Sequence, residues 1–303
     1  MPRHLAQTTD HSSDAALVRL QAGIRYFFEP AEFASQTGRQ PGTPAVRLAL
    51  HRLAQRGRIV AATRRPSGYL IVPPEHMSFG APPVTWWIDD CLRRIEPNYY
   101  VGLLSATHHW GSSHYARQDT QVMLSRVHPP LTPGRLRVVF YAKKQLATTP
   151  TEIVRNDVVP WRVSTRSATL LDLLRHQTAV GGLETVVRVT RDLSSAIEKG
   201  ELVAALDALD QAPAGQRLGF VFQYLGYDAL ANHVFKWVVR RRHAVRQPLE
   251  LGVPTREQTT IDRRWNISFN SRRVTALLER PRVAQPHRRA SLERSSLASS
   301  QTV

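Results

Sequence analysis

Apolar residues recur at helical spacing near the start of the chain. Ala16, Leu17, Leu20 and Ile24 fall on one stripe, which predicts a helix over Ser13 to Gly23 with Ser13 as N-cap. After the aromatic pair Phe27 and Phe28, the segment Pro30 to Gly38 begins at proline and ends at glycine, as short helices often do. A linker from Arg39 to Gly42 leads to Thr43 and Pro44, an N-cap hydroxyl followed by a first-turn proline. In the helix that follows, Val46, Leu50 and Leu53 share one face, and Ala45, Arg47, His51, Arg52 and Gln55 lie away from it. Leu48 fits neither face. Gly57 ends the helix, and Ile59 to Ala62 and Tyr69 to Val72 read as a hairpin whose turn carries Arg64 and Arg65. Three helices with a short second turn and a basic hairpin make a winged helix-turn-helix over residues 13–75, preceded by a flexible stretch over 1–12.

Pro73, Pro74 and Gly80 to Pro83 punctuate the chain and predict a linker over 76–83. A second domain is expected over 84–246. Its pattern reads as helices over Val84 to Ile95 and Asn98 to Trp110, then strands over Gln121 to Val127, Leu136 to Tyr141 and Val158 to Val163. The first two strands are placed to pair as a hairpin across the loop of Pro129, Pro130, Pro133 and Gly134. From Ala168 the pattern turns helical, through Leu183 to Val187, Leu202 to Leu209, Gln216 to Leu225 and Ala229 to Arg241. The fold class is thus mixed α/β, with a helical second half and no repeat of fixed period. Residues 247–280 form a basic extension to which the pattern assigns no fold, and the Ser- and Arg-rich stretch 281–303 reads as a disordered tail.

Charge changes this picture more than composition does. The formal charge is +17, and residues 1–80, 81–233 and 234–303 carry +5, +2 and +10 of it. A near-neutral middle between basic ends points to polyanion contact at the ends, with nucleic acid as the polyanion; a basic chain that only resists aggregation is the plainer reading. In a winged helix the N-terminal half of the third helix enters the major groove. Arg47 is then the first choice for reading a base, followed by His51 and Thr43; Arg52 and Arg39 are placed for phosphates. Arg64 and Arg65 on the wing reach phosphates or an adjacent minor groove. Arg240, Arg241 and Arg242, with His243 and Arg246, either touch the DNA backbone or complement the dipole of the helix they end.

Four stretches carry a family resemblance: NYYVGLLSATHHWG at 98–111, VPWRVSTRSATLLDLLRH at 159–176, VGGLETVVRV at 180–189 and QRLGFVFQYLG at 216–226. With the winged helix in front, their order resembles the AbiEi family, the antitoxin and transcriptional regulator of a type IV toxin–antitoxin system. The resemblance covers most of residues 13–242, and residues 250–303 fall outside it. It implies a winged helix that binds operator repeats in its own promoter; because one winged helix reads only a short site, binding as a monomer or a cooperative pair is expected. It also implies a second domain that counters a nucleotidyltransferase-like toxin, and no enzymatic activity in the antitoxin itself.

The residues offer little to an enzyme. Gly111, Ser112 and Ser113 are not followed by a close pair of aspartates, and Glu198 directly before Lys199 is not the spacing of a nuclease. His108, His109, His114 and Asp119 invite a metal, but neighbouring helical residues point about 100° apart, so no metal or cofactor is expected. Cys91 is alone, which rules out an intrachain disulfide, and no secretory leader or long apolar run is present. The expectation is a cytoplasmic protein without membrane contact. Three functions remain in order: a DNA-binding antitoxin and autorepressor, a stand-alone winged-helix transcription factor with a ligand- or partner-sensing domain, and a DNA-processing enzyme.

Overall fold

The computed structural model describes residues 12–274 except 66, 113–118, 156–157, 210–211, 242–244, 257–258 and 272–273. The expected flexible N-terminus, apart from Ser12, and the expected tail lie outside the described residues.

The first unit runs α1 (Ser13–Ala22), β1 (Phe27–Phe28), α2 (Pro30–Gln36), α3 (Pro44–Gln55), β2 (Ile59–Arg64) and β3 (Ser67–Ile71). This is the order of a winged helix-turn-helix. Ala16, Leu17, Leu20, Phe33, Val46, Leu50 and Leu53 close its core against Phe28, Ile59 and Ile71. The helical stripes were legible, but three details differ. The N-cap of α1 is Ser12, whose hydroxyl accepts from the Ala15 N–H at 3.2 Å. Ile24 leaves the stripe, because the chain turns out of the helix at Gly23 and gives Ile24 a positive φ of 57° and 48% exposure. The aromatic pair is a strand: Phe27 and Phe28 add to the hairpin in the order β1-β3-β2.

The second unit is built on a five-stranded sheet, β4 (Tyr100–Val101), β5 (Asp119–Leu124), β6 (Arg137–Ala142), β7 (Thr151–Val154) and β8 (Trp161–Ser164), in the order β6-β5-β4-β8-β7. The helix expected over 98–110 is therefore a short central strand followed by helix α5 (Leu103–His109). Tyr100 and Val101 are held by pairing with Met123, Val122 and Val163, and tertiary pairing of this kind overrides a local apolar pattern. The helix expected over 84–95 shrinks to one turn at Val84–Trp86 and α4 (Ile88–Leu92). β5 and β6 are neighbours as expected but parallel, from Asp119 beside Arg137 to Leu124 beside Ala142. The proline-rich connection thus returns the chain to the starting edge instead of reversing it.

Helices α6 (Arg166–Arg175), α7 (Leu183–Leu193), α8 (Lys199–Leu209), α9 (Ala212–Tyr224) and α10 (Asp228–Arg240) form the helical half. The chain then continues through β9 (Gln247–Pro248), β10 (Ile261–Asp262) and β11 (Ile267–Ser268). Leu249, Trp265, Ile267 and Val274 are buried in the same core as α6 to α10. The stretch without an assigned fold is thus part of the domain core as far as residue 274. Side chains from the α6–α7 connection and from α9 hold it: Gln177 bonds the Leu249 carbonyl and the Leu251 N–H, Gln216 donates to the Val245 and Trp265 carbonyls, and Arg217 donates to the Pro248 carbonyl.

The two units share packing at the expected linker. Phe27, Ala62 and Leu70 lie in one core with Trp87, Ile88, Cys91 and Leu92, Tyr26 packs on Trp86 with ring centroids 4.8 Å apart, and Arg94 pairs with Glu29 at 2.7 Å. In packing terms the boundary is a joint.

His176, at the end of α6, lies beside Tyr141. Burial pushes its pKa down from 6.5, against a raising influence from Asp172. Above that value the ring is neutral in both folded and unfolded chains. As the pH falls below it, the unfolded chain takes up the proton first, so stability declines. Thermal unfolding between pH 7.5 and 5 should therefore fall less steeply in His176→Gln than in the native chain. Identical pH profiles would show that His176 does not contribute.

Candidate nucleic-acid interface

The third helix of the first unit presents its polar face because its apolar face is fixed by burial. With Val46, Leu50 and Leu53 at 1–3% exposure, the helical repeat turns Arg47, His51 and Arg52 outward, and all three are exposed. Arg47 lies in the first turn, its N–H donating to the Thr43 carbonyl at 3.2 Å. Thr43 precedes the helix in extended geometry, but its hydroxyl donates back to the Gln40 carbonyl at 2.9 Å. It closes the turn between α2 and α3 instead of capping α3. Arg39 is half-buried in that turn, with Nη1 enclosed and without a hydrogen-bond partner among the described residues.

The hairpin is longer than its sequence pattern. Arg64 pairs with Ser67 at the end of the ladder, a register shift falls between Ala61 and Thr63, and Arg64 and Arg65 are both exposed at the tip. Gly68 is required beneath it, since a Cβ there would lie 2.5 Å from the Phe27 ring. The wing is therefore seated on β1, the strand that also reaches the joint.

The electrostatics of this unit separate two groups of cations. Arg58 pairs with Asp14 at 3.5 Å, Arg25 with Glu32 at 2.9 Å, and Arg94 of the second unit with Glu29 and Glu32. Those acids are spent inside the fold. Among the described residues, Arg47, Arg52, Arg64 and Arg65 have no carboxylate partner. Arg56, exposed just beyond α3, belongs with them; its place at the end of a basic helix is the signal the sequence offers. The result is an outward face with uncompensated positive charge on a helix and an adjoining hairpin.

The C-terminal run is placed differently. Arg240 is exposed at the end of α10. Arg241 is half-buried, with its guanidinium over the Trp237 ring at 4.2 Å and 3.9 Å from Asp207. Since Trp237 also donates to Asp207 at 2.8 Å, Arg241 helps clamp α10 to α8. Arg242 lies outside the described residues, as do Ser113 and His114. Among the described residues no group of three or more His, Cys, Asp or Glu is placed to hold a metal ion, and no helix is long and apolar enough to cross a membrane.

Two serines of the second unit are engaged in hydrogen bonds within the fold. Ser105 accepts from the Gln121 N–H at 2.9 Å, and Ser112 donates to Asp192 at 2.6 Å. The sequence did not reveal a buried cluster below the sheet. There Asp172 accepts from Tyr100 Oη at 2.6 Å and Lys143 Nζ at 2.8 Å.

Residues 100–224, from β4 through α9, match the AbiEi antitoxin C-terminal domain. The fold as a whole is similar to the crystal structure of the RV2827C protein from Mycobacterium tuberculosis, with a TM-score of 0.58 and 12% identity over 84% of this chain and 90% of that one. At that identity the likeness concerns the fold, and it extends beyond the antitoxin segment. No curated protein matches the chain.

Proposed function

We propose, from the premise that this chain carries an AbiEi antitoxin C-terminal domain, that it is a DNA-binding antitoxin that represses its own promoter. The observation that carries the DNA-binding half is the division of charge in the first unit. Asp14, Glu29 and Glu32 are engaged in internal ion pairs, whereas the arginines of α3 and the wing have no carboxylate partner among the described residues. A helix N-terminal half beside a basic hairpin suits the major groove and its flanking phosphates. Arg47 reads a base edge, His51 adds a second contact, and Arg39, Arg52, Arg64 and Arg65 hold phosphates, with Arg240 as an outlying backbone contact. Thr43 positions the turn.

The second domain counters a nucleotidyltransferase-like toxin encoded beside this chain. The repressor binds promoter repeats as a monomer or a cooperative pair, because one winged helix reads only a short site. No catalytic role is assigned to any residue.

Arg47→Ala should weaken binding to the cognate promoter duplex by about 1 to 3 kcal/mol and relax selectivity at one base pair. Fluorescence anisotropy against duplexes varied one position at a time checks both effects. An unchanged affinity and selectivity profile would remove Arg47 from the reading surface.

A further inference from the structure

A cleft of about 460 Å³ lies between the Val84–Ile88 segment and the sheet of the second unit. Val84, Thr85 and Ile88 form one wall, and Leu104, His109 and Trp161 contribute to the other. The volume falls within the roughly 300–1,000 Å³ of small-molecule sites, which are mostly apolar with a few polar groups. Thr120 adds a hydroxyl-bearing side chain to the lining, and Ser105 lies there too, with its oxygen already accepting from the Gln121 N–H. Asp119 also lines the cleft, but it is already paired with Arg137 at 2.7 Å. Burial lowers the pKa of His109, which favours its neutral form at pH 7. The Trp161 ring meets that of His109 edge-on at 5.3 Å, so the wall offers aromatic contact without an ionic demand.

The near wall has a second face. Trp86, within this segment, packs on Tyr26 of the winged helix, and Ile88 shares a core with Phe27 and Leu70. Phe27 in turn supports the wing beneath Gly68. The Val84–Ile88 wall of the cleft is therefore continuous with the packing that seats the winged helix. We infer that the cleft is an effector site for a small, uncharged aromatic or heteroaromatic molecule, and that its occupancy changes the setting of the DNA-binding unit. Coupling of this kind is reciprocal: the ligand alters DNA affinity by the same factor as DNA alters ligand affinity. Only this coupling rests on the DNA-binding proposal; binding in the cleft does not.

Calorimetric titration of the full chain tests the site, with indole as the uncharged flat probe and benzoate as the charged comparator. Indole should bind saturably, one molecule per chain, at least tenfold more tightly than benzoate. Val84→Trp and, separately, Thr120→Phe should each weaken it at least tenfold by filling the space, with circular dichroism checking that each variant folds. No saturable indole binding, equal binding of benzoate, or retention of indole by either folded variant would overturn the site. Saturating indole should shift affinity for the promoter duplex at least threefold, and DNA should shift indole affinity equally. Indole binding with unchanged DNA affinity overturns the coupling. If the ligand-free chain does not bind DNA, the DNA-binding proposal fails while the calorimetry still decides the site.

Discussion

Asp172→Ala is expected to destabilise the protein by about 3 to 5 kcal/mol, the range for removing one partner of a buried ion pair. Asp172 is fully buried and Lys143 is 4% exposed. Without the carboxylate, Lys143 keeps the Tyr100 hydroxyl at 3.0 Å, and among the described residues its charge stays buried without an acid. The Tyr100 hydroxyl loses its acceptor as well; beside that carboxylate, and chiefly through burial, its pKa lies well above 10.0. The cluster joins the central strand β4, the end of β6 and helix α6, so the loss falls where sheet and helices meet. Coulomb attraction alone does not explain the expected loss, because desolvation offsets much of it. The larger part is the stranded cation. Asp172→Leu combined with Lys143→Met should therefore recover most of the loss. Urea unfolding followed by circular dichroism measures all three variants. A cost below about 1 kcal/mol for Asp172→Ala would mean that water or another group compensates the lysine.

Gly219→Ala should destabilise the chain by about 3 kcal/mol, the upper end for an overpacked core. Helix propensity predicts the opposite sign, a gain of about 1 kcal/mol for alanine over glycine within a helix. Geometry decides between them. A Cβ at 219 would lie 2.0 Å from two atoms of the Trp265 ring. That ring cannot easily yield: it is 1% exposed, its Nε1 donates to Gln223 at 3.0 Å, and Phe235 meets its face edge-on at 5.5 Å. Trp265→Leu should relieve the clash, so the double variant should be more stable than the two single losses add to. A neutral or stabilised Gly219→Ala would show that Trp265 does not occupy the groove over α9.

Local periodicity encodes α3 but not the burial of Trp265. The α3 face was legible because one amphipathic helix encodes both its buried Val46, Leu50 and Leu53 and its exposed Arg47, His51 and Arg52. Periodicity needs only neighbours along the chain. Trp265, by contrast, sits among Arg263, Arg264 and Asn266, with no local pattern to mark it as core. Its burial is set by Gly219 and Gln216, far away in sequence. Tyr100 and Val101 were absorbed into a helix for a similar reason, since a two-residue strand has no period of its own and exists through its partners on β5 and β8. The parallel pairing of β5 and β6 depends on the path of the connecting loop. Lys143 and Asp172 lie on different elements, so their ion pair could be seen only after folding. In the candidate interface, sequence identified the cations, and structure separated those engaged inside the fold from those facing outward.

A salt titration of the full chain on the DNA upstream of its own coding sequence, beside a scrambled duplex of equal length, decides whether the winged helix recognises that DNA. Binding to its own DNA should be on the order of 10³-fold or more tighter than to the scrambled duplex. Log affinity should fall linearly with log salt, with a slope shallower by about 2 when Arg64 and Arg65 are both replaced by alanine. Equal affinity for the two duplexes, with a salt slope that the double replacement leaves unchanged, would rule out promoter recognition through the winged helix.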